Sequence, residues 1–180
     1  MRTFMNNLIG LFILSLLIFL GTRMAVGNYT VSTQDMSPGM EPGQMIMVNK
    51  FAYVFDRPDR GDIVYYKSTD SQQYEMKRII GLPGDVITID DAGLHINGIL
   101  VQEPYVKYGA GYQISKFQVP LGSCLVLSDN RNYTDDSSLE WTVRVDDIEG
   151  RAWVLTWPPD RWGMVSNYSL SSQLAAVGLY

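Results

Sequence analysis

A mainly β domain, built as a barrel or a sandwich behind a single N-terminal transmembrane helix, is the fold class this sequence predicts. Three observations lead there. An uncharged apolar run, "LIGLFILSLLIFLGT", occupies Leu8 to Thr22. Behind it, short stretches rich in β-branched and aromatic residues recur, separated by Gly/Pro-rich turns. Helical periodicity is weak elsewhere, which favours a β architecture over a mixed one.

At 1.5 Å per residue, the run from Leu8 to Thr22 falls short of a hydrocarbon core of about 30 Å. Extending it from Met5 to Val26 supplies the length, with Arg23 near the end able to snorkel to the interface. A cleaved secretory signal is the alternative: a basic start at Arg2, an apolar centre, and Ala25–Gly27 as a small-x-small cleavage site. Arg23 lies between the run and that site, which favours a retained anchor. The expected organisation is a short cytoplasmic N-terminus (1–4), an anchor (5–26), a β domain (27–160) and a C-terminal tail (161–180). Arg2 and the free amine favour a cytoplasmic N-terminus, so the β domain is expected outside the membrane.

The expected strands lie in Gln44–Phe55, Asp62–Ser68, Tyr74–Ile80, Ser123–Asp129 and Arg151–Pro158. "VITID" and "LHING" form a hairpin joined by Asp91–Gly93. "VDDIEG" allows a single helical turn opened by Asp146 and Asp147. The segment Ser166–Tyr180 has no clear period and reads as a loose tail. Met45 and Met47 are expected to face the core, as is Trp153. The other tryptophans, Trp141, Trp157 and Trp162, are candidates for membrane-interface anchors. His95 alternates with Leu94 and Ile96 and is expected to face solvent.

Composition excludes several classes. The formal net charge of −5 argues against nonspecific nucleic-acid binding. The single cysteine, Cys124, permits no internal disulfide and is expected to be a buried apolar residue. With one histidine and no Cys/His pair at ligand spacing, no metal site is expected, and no cofactor.

Four blocks in fixed order carry a resemblance. "DMSPGMEPGQ" (Asp35–Gln44) is followed by "RGDIVYY" (Arg60–Tyr66), "MKRIIGLPGD" (Met76–Asp85), and then "INGILVQEPY" with "VPLGSCLVLSDNRNYTDDS" (Ile96–Tyr105, Val119–Ser137). In that order and spacing they resemble the type I signal peptidases, over about residues 5–160. The resemblance implies a mostly β catalytic domain on the outer face of the cell membrane. It also implies cleavage of signal peptides from exported preproteins by a serine/lysine dyad. Lys77 matches the general-base lysine, and the nucleophile position is held by Asp35 instead of serine. Thr33 maps to the hydroxyl of the oxyanion hole. Thr134 falls where the family has a serine beside the lysine, and Met36 falls on an apolar surface meeting lipid or substrate. Asp129, Arg131 and Asp136 take structural positions. The arginine that usually pairs with Asp136 is replaced by Ser138, and the glycine before Asp129 by Ser128.

Aspartate conflicts with dyad chemistry in three ways. Attack by a carboxylate on an amide forms an anhydride linkage, and the carboxylate leaves more readily than the amine, so the adduct collapses to reactants. An ionised Asp35 beside Lys77 holds the ammonium charged, whereas a general base must be neutral. A negative group next to the oxyanion hole repels the charge that develops there. An Asp35–Lys77 ion pair is therefore expected. Ser37 is a weak substitute: in an extended chain it lies about 6.6 Å further along the same side, and Pro38 fixes the backbone after it. Ser32 faces the other way. Water activated by Asp35 lacks the second carboxylate of an aspartic protease. The preferred reading is a peptide-binding assembly or chaperone factor. It resembles signal-peptidase-like proteins of Gram-positive pilus-assembly loci, which implies pilin subunits and a sortase as partners. The alternative is an active signal peptidase acting on preproteins.

Overall fold

In the computed structural model, the described residues are 2–69, 71–107, 109, 111–132 and 141–178. The chain opens with helix α1 (Arg2–Ala25) and passes directly into strand β1 (Val26–Thr30). Then follow β2 (Met45–Asn49), β3 (Ile63–Lys67), β4 (Tyr74–Gly81), β5 (Val86–Asp90), β6 (Gly93–Ile96), β7 (Ile99–Leu100), β8 (Ile114–Gln118) and β9 (Ser123–Leu127). The last elements are β10 (Thr142–Arg144), β11 (Ile148–Trp157), β12 (Gly163–Met164) and helix α2 (Leu170–Ala175).

Phe4–Ala25, 22 residues, is long and apolar enough to cross a membrane, and none of its window is buried. At 1.5 Å per residue it spans about 33 Å. Its side chains have no protein core to enter, which is the surface expected of a lipid-facing helix. The strand that follows was hidden in the sequence by the apolar run before it.

Among the described residues, eight strands form one antiparallel sheet in the order β1-β2-β11-β3-β4-β9-β10, with β12 on β11. Four more form a second sheet, β7-β6-β5-β8. The mainly β expectation holds, and so does the hairpin, with Ile87 opposite Ile96 and Asp90 opposite Gly93. The turn at Val145–Asp147 is a single 3-10 turn.

Three cores result. One lies under the four-stranded sheet and joins Ile87, Ile89, Leu94 and Ile96 to Ile80, Leu125 and Leu127. The second fills the concave side of the large sheet with Met36, Met40, Ile46, Val48, Ile63, Met76 and Leu155. The third, on the opposite side, holds Val64, Tyr66, Ile79, Cys124, Val126 and Val143. Cys124 is buried, as expected, and burial pushes its thiol up to about 11.

Several expectations need correction. The strand foreseen over Gln44–Phe55 ends at Asn49, whose side-chain oxygen accepts from the Phe51 N–H and turns the chain. Within β2 the inward residues are Ile46 and Val48, so Met45 and Met47 lie on the other face and Met45 is exposed. Trp153 is also exposed rather than core, on the outer face of β11. His95 is half-buried, with Nδ1 3.7 Å from the Asp90 carboxylate. The loose tail is not loose where it can be described. Ser169 caps α2 by accepting from the Ser172 N–H, and Leu170 and Leu174 enter the first core.

Candidate active site

The loop between β1 and β2 carries the Asp35–Gln44 block, where the nucleophile box is expected. It is folded into turns rather than extended: Ser37 N–H donates to Gln34 O (3.1 Å) and Met40 N–H to Met36 O (2.8 Å). Met36 and Met40 point inward as anchors, 3% and 2% exposed, so the position expected on a lipid- or substrate-facing surface is a core position here. Thr33 and Asp35 are half-buried. The Ser37 hydroxyl donates to the Glu41 carboxylate at 2.9 Å, a commitment that the extended-chain estimate did not include.

The loop after β9 is laced to this box. Asn130 N–H donates to Asp35 O (2.8 Å) and its side-chain amide to Gln34 O (3.1 Å). Asp129 is 1% exposed and accepts two parallel hydrogen bonds from Arg78, at 2.8 and 2.7 Å. A fork of this kind joins direction to charge, which suits a buried pair. The Arg78 guanidinium also donates to Gly61 O and packs against the Tyr105 ring, 4.2 Å from its centroid. Arg131 is 2% exposed; its Nε donates to Ser128 O, and its guanidinium pairs with Glu103. Asp129 and Arg131 are thus both buried in ion pairs.

Strand alternation puts Lys77 on the face of β4 opposite Arg78. Its side chain is 15% exposed, and its ammonium lies 3.8 Å from the Glu75 carboxylate. Sequence reasoning missed Glu75. It sits two residues earlier on the same strand face, so period-2 alternation was the signal that could have found it. Glu75 also accepts from the Tyr66 hydroxyl (3.1 Å) and, on its other oxygen, from Ser71 (3.0 Å). Tyr29 closes the box from the β1 side. Burial raises its phenol, and the Asp35 and Glu75 carboxylates act in the same direction. Thr134 and Asp136 lie outside the described residues, as does Ser138.

The model of the family described as signal peptidase, peptidase S26, matches residues 5–157. The chain belongs to the signal peptidase S26 family. A signal peptidase I from Leptolyngbya laminosa is 35% identical over 159 residues, covering 83% of this chain and 78% of the relative. A probable signal peptidase I-2 from Synechocystis sp. is 32% identical over 152 residues, with 81% and 69% covered. A crystal structure of a signal peptidase I from Enterococcus faecalis V583 aligns at 31% identity and a TM-score of 0.46. It covers 53% of this chain and 97% of that one. The apolar helix and these relatives together fit a membrane-anchored protein of this family. Among the described residues, no group of His, Cys, Asp and Glu could hold a metal ion.

Proposed function

We propose that this signal-peptidase-family protein keeps the cleft of its relatives but does not cleave peptides by the serine route. It acts instead as a membrane-anchored factor that holds an extended segment of an exported protein. The observation that carries this reading is Asp35 at the nucleophile position, in a loop that Asn130 grips through the Asp35 carbonyl. Glu75 stands 3.8 Å from Lys77, and in this reading Asp35 takes the place of the serine hydroxyl that a general base would have to activate. In this reading Asp35 and Lys77 hold the two positions of the altered dyad, and Thr33, Thr134 and Asp136 keep the roles that the family's pattern gives those positions. The β domain stands on the extracellular side. The held segment belongs to a pilin in the pilus-assembly reading, with a sortase acting alongside. Lipid contact is supported by exposed Trp157, Trp162, Met164 and Met45, grouped where β2, β11 and β12 meet.

One observation favours an ordinary peptidase acting on preproteins: the relatives named above are signal peptidases I or probable ones. Incubating the full chain in detergent micelles with a preprotein separates the two. Wild type is expected to leave the preprotein intact, and Asp35→Ser to gain cleavage, because the lysine and its surrounding frame are in place. Cleavage by wild type that Ser37→Ala abolishes would overturn the proposal.

A further inference from the structure

The chain leaves β2 through a turn that shows its apolar side to the outside. After Asn49 accepts from the Phe51 N–H, the Val54 N–H donates to Phe51 O at 3.2 Å and closes the turn. Tyr53 is the inward member. It packs against the third core, and its hydroxyl donates to the buried Asp62 carboxylate at 2.9 Å. With Tyr53 tied inside, Phe51, Val54 and Phe55 are left outside, and Phe55 is 93% exposed. Apolar side chains held out together by a fixed turn mark a contact surface, because water gains nothing from them.

The anchor says what covers them. The Lys50 N–H donates to Ala25 O at 2.9 Å, so the turn starts where the apolar span Phe4–Ala25 ends. The bond from Val54 back to Phe51 keeps the turn close to that point. The polar layer outside the hydrocarbon core is about 5–7 Å deep, so a turn that starts there has lipid within reach of a phenylalanine side chain. The other exposed apolar group, Met45 with Trp157, Trp162 and Met164, sits at the far end of β2, about 13 Å along the strand. Its approach to lipid depends on which way the domain leans, whereas the turn is fixed to the end of the helix. Charges of both signs surround the turn. Arg23, Lys50 and Arg57 stand against Asp56 and Glu149, the last 3.8 Å from Lys50. Apolar burial rather than charge therefore draws it to a bilayer.

We propose that the turn over 51–55 is a membrane contact of its own, in which Phe51, Val54 and Phe55 enter the lipid beside the end of the anchor. The inference goes beyond the peptide-holding reading and does not need it; it rests on α1 lying in the bilayer. The test uses the full chain in vesicles of phosphatidylcholine, which carries no net charge, with a nitroxide spin label on single introduced cysteines. Cys124 is buried, so the label goes to the introduced site. Collisions are read with oxygen, which concentrates in lipid, and with a water-soluble nickel chelate. Leu17→Cys in the middle of α1 gives the lipid limit. Leu121→Cys gives the aqueous limit, 88% exposed and just before β9, five strand steps from β1. Phe55→Cys and Val54→Cys are expected to fall between the two, with oxygen favoured over nickel. A reading at Phe55→Cys equal to that at Leu121→Cys, with Leu17→Cys in lipid, would overturn the contact and leave the anchor standing. A label at Phe55→Cys shielded from both reagents would overturn it in favour of a protein partner. An aqueous reading at Leu17→Cys would overturn the anchor and the contact together. None of these outcomes touches the peptide-holding reading.

Discussion

The two halves of β4 make opposite use of one strand. Its second half, Arg78–Gly81, is buried at every position and pairs with β3 at Arg78 and with β9 from Arg78 to Gly81. Its first half, Tyr74–Lys77, pairs with β3 and alternates between exposed or half-buried positions and the buried Met76. Among the described residues, β9 does not extend to it. The closed half holds the ion pair of Arg78 with Asp129, where water is excluded. The open half holds Tyr74 on one face and Glu75 with Lys77 on the other, all exposed or half-buried. Neighbouring residues on one strand can thus serve as frame and as site, because a single step of 3.3 Å reverses the face and changes the solvent.

Three substitutions sharpen that contrast. The largest effect is expected in the closed half. Arg78→Met leaves the Asp129 carboxylate buried without its fork and should cost about 3–5 kcal/mol of folding stability, read from denaturant midpoints. The C-terminal segment caps the same half: Ser166 O accepts from Arg78, and the Tyr168 ring lies 5.5 Å from its guanidinium carbon. Leu170→Ala, which empties a fully buried site in α2, should lower stability by about 2–4 kcal/mol. The smallest effect belongs to the open half. Lys77→Met should cost less stability than Arg78→Met, read from the same denaturant midpoints, since its pair with Glu75 is longer and less buried than the Arg78–Asp129 fork. A Lys77 cost as large as that of Arg78 would erase the distinction between frame and site.

Much of this was legible in the sequence, and the gaps have physical causes. The strands over Asp62–Ser68, Tyr74–Ile80 and Ser123–Asp129 show as β-branched and aromatic runs because burial on both faces selects such residues. The run past Asn49 misled because Phe51, Tyr53 and Val54 have strand-like composition, while a single side-chain hydrogen bond from Asn49 decides the turn. Helix α2 escaped notice because six residues are too few to show a period, although Ser169 as a cap and Leu170/Leu174 at i, i+4 are its marks. Within the site, the box, Lys77, Asp129 and Arg131 could be placed by motif. Glu75 was passed over although it sits two residues before Lys77 on one strand face, whereas the approach of Tyr29 to Tyr65 depends on how far the sheet curls, and no local pattern encodes that.

The joint between anchor and domain has a mechanical consequence. No residue separates the end of α1 at Ala25 from the start of β1 at Val26, and the Lys50 N–H clasps the Ala25 carbonyl at 2.9 Å. A domain on a loose tether can swivel and sample many heights above a bilayer. This one can turn only by tearing the ladder that pairs Val26 with Asn49. The domain is therefore coupled to the direction in which the anchor helix runs, and a change in the helix's tilt is passed straight to the large sheet.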